Sequence, residues 1–476
     1  PWLPEKWDEE VDVVVVGSGF AGLAAAIEAA EAGSSVKVLE KMEVVGGNSA
    51  INGGAIAAPG SPLQKEEGIE DSADLLYSDM LRAGLYLNHR DLARAVADKA
   101  LETLNWTIDH LGVEYKSTLT FFGGHSVSRS YGTKQGTGWG IVEKELAKAE
   151  ELGAEVKTDT KLTKLIRDED GRVKGVEIQD GYTFPDETSG ETKYIKAKKA
   201  VVLASGGFGA NLRMRTIQDP NLTEKLDCTN QAGATGEAMR EAVRIDANPV
   251  HLSWIQLGPW TSPDEPGFGV APGFILIGAK NFGMQVDPDT GKRFMNEMGS
   301  RKECADAILK VGHPVIALTD SAGAAGPLMF AEAWMKKALE DGTVRTFDTI
   351  DELIDFYEIN AEGFKAELER YNSFVEKGVD EDFGRPILKG AQPLTEPPFY
   401  AARAWPKVHH CMGGVQVNTK TQVIDLEGDV IPGLYAAGEV AGGIHGACRL
   451  GSVATSDCLT HGRIAGQNAA AETPWE

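Results

Sequence analysis

The chain has 476 residues, 42% hydrophobic and 25% charged, which exceeds the size of one core and matches globular proteins in composition. Its 47 basic and 71 acidic side chains leave a formal net charge of −24, which argues against nucleic-acid binding, and no Lys/Arg cluster offsets it. No apolar run nears the ~18 residues of a membrane helix. Cys228, Cys304, Cys411, Cys448 and Cys458 form no C-x-x-C or C-x-x-C-H, against a disulfide framework and haem attachment.

Residues 1–10 are a polar lead-in carrying Trp2 and Trp7. An exported precursor, an excised methionine and a trimmed start are all compatible with an opening Pro1. The β-branched run over 13–16 suits a parallel strand buried on both faces. It ends in Gly17-Ser18-Gly19-Phe20-Ala21-Gly22, a G-x-G-x-x-G opening an Ala-rich helix over 23–32. Gly17 permits the tight turn, Gly19 a close approach to a pyrophosphate, and Gly22 the packing of helix on strand. The helix start offers free N–H groups to the phosphates. A second strand over 36–39 ends on Glu40, an acid placed for ribose hydroxyls. Strand, helix and acid in this order predict dinucleotide binding. Lys41 follows, then Gly46-Gly47-Asn48-Ser49 and Gly53-Gly54, glycines that let the chain run close over the rest of the cofactor. NAD domains would continue into further βα units here, so FAD is the expected cofactor.

Further along, apolar spacing predicts helices over 72–83 and 91–111, and a helix over 141–152 stopped by Gly153. His125, in the loop over 121–130, reads as a surface histidine. A small antiparallel sheet starts at Val156 and continues over 161–166, 173–179 and 193–196. A separate buried strand over 200–203 runs into Ala204-Ser205-Gly206 and returns the chain to the first sheet. From Trp254 the texture changes to dense aromatics, a Pro/Gly-rich segment over 259–273, and helices over 331–339 and 362–375. After Pro406 the earlier character resumes with Gly438-Glu439, Arg449-Leu450-Gly451 and a final helix over 452–471, its N-terminus aimed at what those glycines line. The expected fold is α/β: a glutathione-reductase-type FAD-binding Rossmann domain (1–252 and 411–476) with an inserted α+β capping domain (253–410).

Six ordered motifs carry a family resemblance. They are Lys6-Trp7-Asp8 before the first strand, Gly46-Gly47-Asn48, Thr229-Asn230 with Thr235-Gly236, Arg293-Phe294-Met295-Asn296-Glu297 with Arg301, Val408-His409-His410 with Met412-Gly413-Gly414, and His445-Gly446-Ala447 with Arg449-Leu450-Gly451-Ser452. Together they resemble the fumarate reductase/succinate dehydrogenase flavoproteins, nearest the flavin part of the soluble flavocytochrome c group. The resemblance implies FAD held by the glycine motifs with Phe20, Ala21, Thr229, Asn230, Thr235, Gly236, His409, Glu439, Arg449, Gly451 and Ser452. Binding is expected to be noncovalent, since the family's attachment histidine has no counterpart at 50–53. It also implies hydride transfer from N5 of reduced FAD to the β-carbon of an unsaturated carboxylate, with Arg301 protonating the α-carbon and Arg449 and His410 gripping the carboxylate. Without the resemblance, Arg301 reads as a salt bridge at a helix start. Electrons would come from an external donor, a separate cytochrome c subunit being the candidate, and the expected compartment is the periplasm.

The departures point away from fumarate. Gly258, Leu276, Ile277 and Lys280 stand where the resembled group has His, Thr, Glu and Arg, the first two for a second carboxylate and the others for proton delivery. A monocarboxylic enoate is therefore expected. Trp254, Trp260, Phe268 and Phe274 offer an apolar wall favouring a methyl- or aryl-substituted acrylate. Two other readings stay open: a noncatalytic flavin electron-transfer subunit, and a ketosteroid-dehydrogenase-like flavoprotein.

Overall fold

Strand β1 (Glu9–Val16) lies between its two parallel neighbours at the centre of the largest sheet. The structure, a computed structural model, describes residues 3–326, 330 and 332–476. Helix α1 (Phe20–Glu31) and strand β2 (Val36–Leu39) follow β1 as expected. Val13 and Val15 pack in one apolar cluster with Leu23, Ile27 and Leu459, while Val14 and Val16 pack in another with Met80, Ile431 and Val453. Both faces of β1 are covered, which is why its apolar run does not alternate.

The antiparallel sheet differs from expectation at both ends. β3 (Glu155–Lys157), which holds Val156, joins the parallel sheet beside β2. β4 (Thr160–Arg167) and β5 (Val173–Asp180) form an antiparallel pair, and β5 pairs with β6 (Glu191–Leu203). β6 is one 13-residue strand where two were expected. Residues 191–196 pair with β5 and residues 195–203 run parallel to β1, whose register shifts between Val11 and Val13. The helices over 72–111 are Ala73–Ala83 and Arg90–Asn105, the second passing into a wider turn at Trp106–His110.

Four antiparallel strands (Met284–Val286, Val315–Thr319, Phe399–Ala404 and Arg345–Phe347) form a separate sheet. Beside it, β7 (Ile255–Gly258) and helix α2 (Arg301–Val311) bring chemistry toward the large sheet, and β8 (Lys407–Cys411) pairs with β7. The expected helix over 331–339 is observed as Glu332–Asp341, Ala331 lying outside the described residues. The chain re-enters the large sheet with β9 (Val430–Ala436), parallel to β6, and ends in helix α3 (Val453–Ala471). α3 packs on α1 so closely that a Cβ on Gly462 or Gly466 would come within 2.5 Å of the α1 backbone.

Candidate active site

Two adjoining clefts, of about 940 and 860 Å³ empty volume, share Phe20, Asn48, Ser49, Glu439 and Cys458.

The first cleft opens where β1 ends. Gly17, at φ +107, passes so near Ala204 that a Cβ would lie 2.2 Å from its carbonyl oxygen, and a Cβ on Gly22 would lie 2.0 Å from Gly17 O. These contacts close the strand–turn–helix corner and leave Gly19, Ala21, Ser205 and Gly206 on the cleft wall. Glu40 is held in place: Oε2 accepts from Ser18 Oγ at 2.5 Å and Oε1 from Met42 N–H at 2.9 Å. Ser18 Oγ in turn accepts from Gly46 N–H, tying the first glycine motif to the second. Lys41 donates to Thr235 Oγ1 and Glu237 Oε2 at 2.6 and 3.0 Å.

Gly47, Ala204, Gly236 and Gly438 line this cleft as expected. Four expected cofactor residues line neither cleft. Gly22 closes the corner, Gly54 packs on Thr137, Gly451 packs on Phe122, and Thr235 ties Lys41 to Glu237. The α1 terminus also differs from expectation, because Phe20 N–H donates to Ser49 Oγ at 3.0 Å. Gln231, Lys161 and Glu237 line the cleft without a sequence signal to mark them.

An FAD fits this groove on two observations. The groove adjoins the second cleft through the shared residues, so the glycine motifs and the arginines line one continuous surface. Ser205 Oγ and Asn230 Oδ1 are buried on its walls without a protein partner among the described residues, as polar atoms awaiting a ligand are.

The second cleft gathers Gly53, Thr229, Asn230, Ser452, Arg301, Arg449, His409 and His410 around an apolar wall of Phe122, Trp260, Phe268, Leu276 and Phe330. Arg301 is the first residue of α2, behind a capping box in which Ser300 Oγ accepts from Glu303 N–H and Glu303 Oε2 from Ser300 N–H. The loop before it is anchored by a buried ionic cluster: Arg293 meets Glu297 and Asp380 at 2.7 and 2.9 Å, and Arg385 meets Glu297 at 3.2 Å. Arg301 therefore makes no helix-start salt bridge. Among the described residues no carboxylate lies within 4 Å of Arg301 or Arg449. Arg301 Nη1 donates to Gln256 Oε1 at 3.4 Å, and its guanidinium lies 5.1 Å over the Trp260 ring. Gln256 Nε2 donates to Arg449 O at 2.7 Å, so one amide spans both arginines. Nothing in the sequence singled out Gln256.

His409 and His410 are consecutive in a strand yet both face the cleft. Gln256 pairs with His410 and Leu257 with Val408, leaving His409 as the extra residue of a β-bulge, which re-aims its side chain. Expected with the cofactor, His409 instead lines the second cleft, its Nδ1 2.6 Å from Thr229 Oγ1 and its ring edge-on to Trp260. His410 Nδ1 lies 3.7 Å from Glu439 Oε1. Behind it His445 Nε2 and His461 Nδ1 both meet Asp457, at 3.1 and 2.5 Å.

Burial, and then the charge of Arg449, push the Arg301 guanidinium well below its ordinary pKa. Burial also lowers Arg449, opposed chiefly by Glu439. Both His409 and His410 are pushed well below the usual imidazole range, by burial and then by the arginines, and are neutral. Burial raises Glu439 from 4.5 to about 7. A carboxyl whose pKa rises on folding binds more protons folded than unfolded between those values. Stability should therefore fall as pH rises from about 4.5 to about 7, by on the order of 3 kcal/mol in full. Urea unfolding across that window measures the slope, and Glu439→Gln should flatten it.

Several expectations need correction. Trp260 and Phe268 line the cleft, but Phe274 is buried beside Val315 and Ala402 of the four-stranded sheet, and Trp254 lies off the wall near Lys302. Of the substituted positions, Leu276 lines the cleft. Ile277 is core, and Lys280 is buried with Nζ 3.5 Å from Cys304 Sγ. His125 is no surface histidine. It is buried, Nε2 donating to Gly451 O and Nδ1 accepting from Arg129.

A family model described as FAD binding domain matches residues 12–455. The chain is 44% identical over 470 residues to an acrylate reductase flavoprotein subunit from Shewanella woodyi, covering 97% of this chain and 91% of that one. It is 37% identical over 476 residues to a urocanate reductase from Eggerthella lenta, covering 99% and 76%. The open conformation of a flavocytochrome c3 fumarate reductase superposes with a TM-score of 0.75 at 30% identity, covering 98% of this chain and 79% of that one.

Proposed function

The chain belongs to the FAD binding domain family, and from that premise we propose that this FAD-dependent oxidoreductase reduces the double bond of a monocarboxylic enoate of the acrylate class. One observation carries the reading: two buried guanidiniums without carboxylate partners face a cleft whose remaining wall is largely apolar. Such charges are costly unless the ligand supplies the counter-charge.

FAD, held along residues 17–21, Glu40 and Ser205 and reduced by an external donor, would supply the hydride for the β-carbon. Arg449, with neutral His410 beside it, grips the substrate carboxylate and draws electron density from the double bond, making the β-carbon more electrophilic. Arg301 gives a proton to the α-carbon. Guanidinium is ordinarily too weak an acid for this, and burial beside a second positive charge moves it in the required direction. Gln256 holds Arg301 on one side and the Arg449 backbone on the other, fixing the distance between clamp and acid. In this reading residues 253–410 are a cap that brings Arg301 to the cofactor held by 1–252 and 411–476.

Arg449 takes the one carboxylate and Arg301 is committed to proton transfer, so a second carboxylate has no guanidinium of its own, and burying it unpaired costs several kcal/mol, roughly 10³-fold in binding. With reduced viologen as donor, acrylate should exceed fumarate in kcat/KM by about that factor, and a preference for fumarate would sink the reading. FAD is expected to be released on acid precipitation, since nothing at 50–53 offers an attachment histidine; flavin remaining in the pellet would contradict noncovalent binding.

Electron supply by a separate cytochrome c-type donor in the periplasm is the arrangement we favour. It is supported by the designation of one relative as a flavoprotein subunit and of a structural neighbour as a flavocytochrome. No described helix is long and apolar enough to cross a membrane.

A further inference from the structure

We infer that Trp260 sets the size limit of the substrate, its indole acting as a rigid wall that admits unsubstituted acrylate and turns away enoates substituted on the double bond. The inference rests on the enoate-reductase reading and names the residue that determines specificity within that site.

Trp260 lines the second cleft yet is only 2% exposed, so nearly all of its surface is in contact with protein. It is boxed on several sides. Behind it stands Gly258, where an added Cβ would sit 3.2 Å from the six-membered ring. Phe268 lies 5.5 Å away between ring centroids, and His409 meets the ring edge-on at 4.7 Å. The Arg301 guanidinium covers a face at 5.1 Å. A side chain held this way cannot swing aside for a bulkier ligand without moving the proton donor or the bulged histidine with it.

The indole N–H gives a second, independent sign that the ring borders ligand space. A buried Trp N–H ordinarily finds an acceptor. Trp260 Nε1 is buried and has none among the described residues. Leu276, Phe122 and Phe330 complete the wall around it. Trp260 meets both Arg301, which lies over its ring, and His409, which meets it edge-on. Its removal therefore opens room beside the reacting carbons.

The test compares acrylate, crotonate and cinnamate with the FAD-loaded protein and a reduced viologen. Trp260→Leu should raise the crotonate-to-acrylate and cinnamate-to-acrylate ratios of kcat/KM by at least about 10-fold, the lower bound for one methylene's worth of pocket discrimination. Gly258→Ala pushes the ring into the cleft and should move the same ratios the other way, by a few fold. The Kd values of the saturated acids propionate and 3-phenylpropionate, read from flavin absorbance, should shift in the same order. If Trp260→Leu fails to hold FAD, the Gly258→Ala ratios and Kd values decide. Ratios within about twofold of wild type in either FAD-loaded variant overturn the inference while leaving the enoate-reductase reading intact. A wild-type protein that reduces none of the three acids overturns that reading instead.

Discussion

Arg301→Ala should lower kcat by at least about 10²-fold while FAD stays bound. The low end of general-acid catalysis sets that figure. Arg301 lines the second cleft and not the first, so its loss leaves the glycine motifs, Glu40 and Ser205 untouched. The side chain sits at the start of a capped helix behind the Arg293–Glu297–Asp380 cluster, so truncation removes a terminal group and leaves the loop anchored. Arg301→Lys should recover little. An ammonium does not reproduce the planar fork that reaches Gln256 Oε1 while stacking on Trp260. The measurement is single-turnover reoxidation of the reduced flavin by saturating acrylate. A rate near wild type would mean that the α-carbon takes its proton from another group.

Arg449→Ala should act on the other kinetic constant. Breaking a buried charge pair costs about 3–5 kcal/mol, so KM for acrylate should rise roughly 10²–10³-fold with a much smaller change in kcat. Among the described residues Arg449 Nε is buried without a protein acceptor and Nη1 donates only to Leu450 O at 3.1 Å, leaving the fork free for a carboxylate. His410, being neutral, cannot replace the charge. Arg449→Lys should restore part of the affinity as a point charge but lose the bidentate grip. Titration with propionate, followed in the flavin spectrum, separates binding from chemistry. An unchanged Kd in Arg449→Ala would place the carboxylate elsewhere in the cleft. The contrast between the two variants is itself informative: one is expected to slow a bound substrate, the other to lose it.

Residues close together in the chain were legible in the sequence. The unit from Glu9 to Glu40 folds as its pattern requires, because a β-branched run, a glycine turn and an Ala-rich helix each fix a local geometry. Glu40 and the second glycine pair lie on the expected cleft for the same reason, a few residues from the elements that position them. The strand over 200–203 returns to the first sheet beside β1 as expected, as the second half of β6. Arg301, Arg449 and His410 were marked through their motifs, and they meet in one cleft.

Only the tertiary structure decided what surrounds them. Gln256 joins two arginines, Arg301 and Arg449, that are far apart in the chain; a pattern along the sequence carries no trace of a contact made by packing. The bulge that turns His409 beside His410 exists because β8 pairs with β7, a register set between strands more than a hundred residues apart. His125 read as a loop histidine because burial of a loop depends on what lies over it, here Gly451 and Arg129. Of four aromatics close in sequence, Trp260 and Phe268 reached the cleft while Phe274 went beside the four-stranded sheet, since apolar side chains are equally at home in either and only the path of the backbone chooses. Local chemistry pointed to the cofactor, and the family resemblance to the charged groups. Long-range packing set their distances, their burial and the apolar wall beside them.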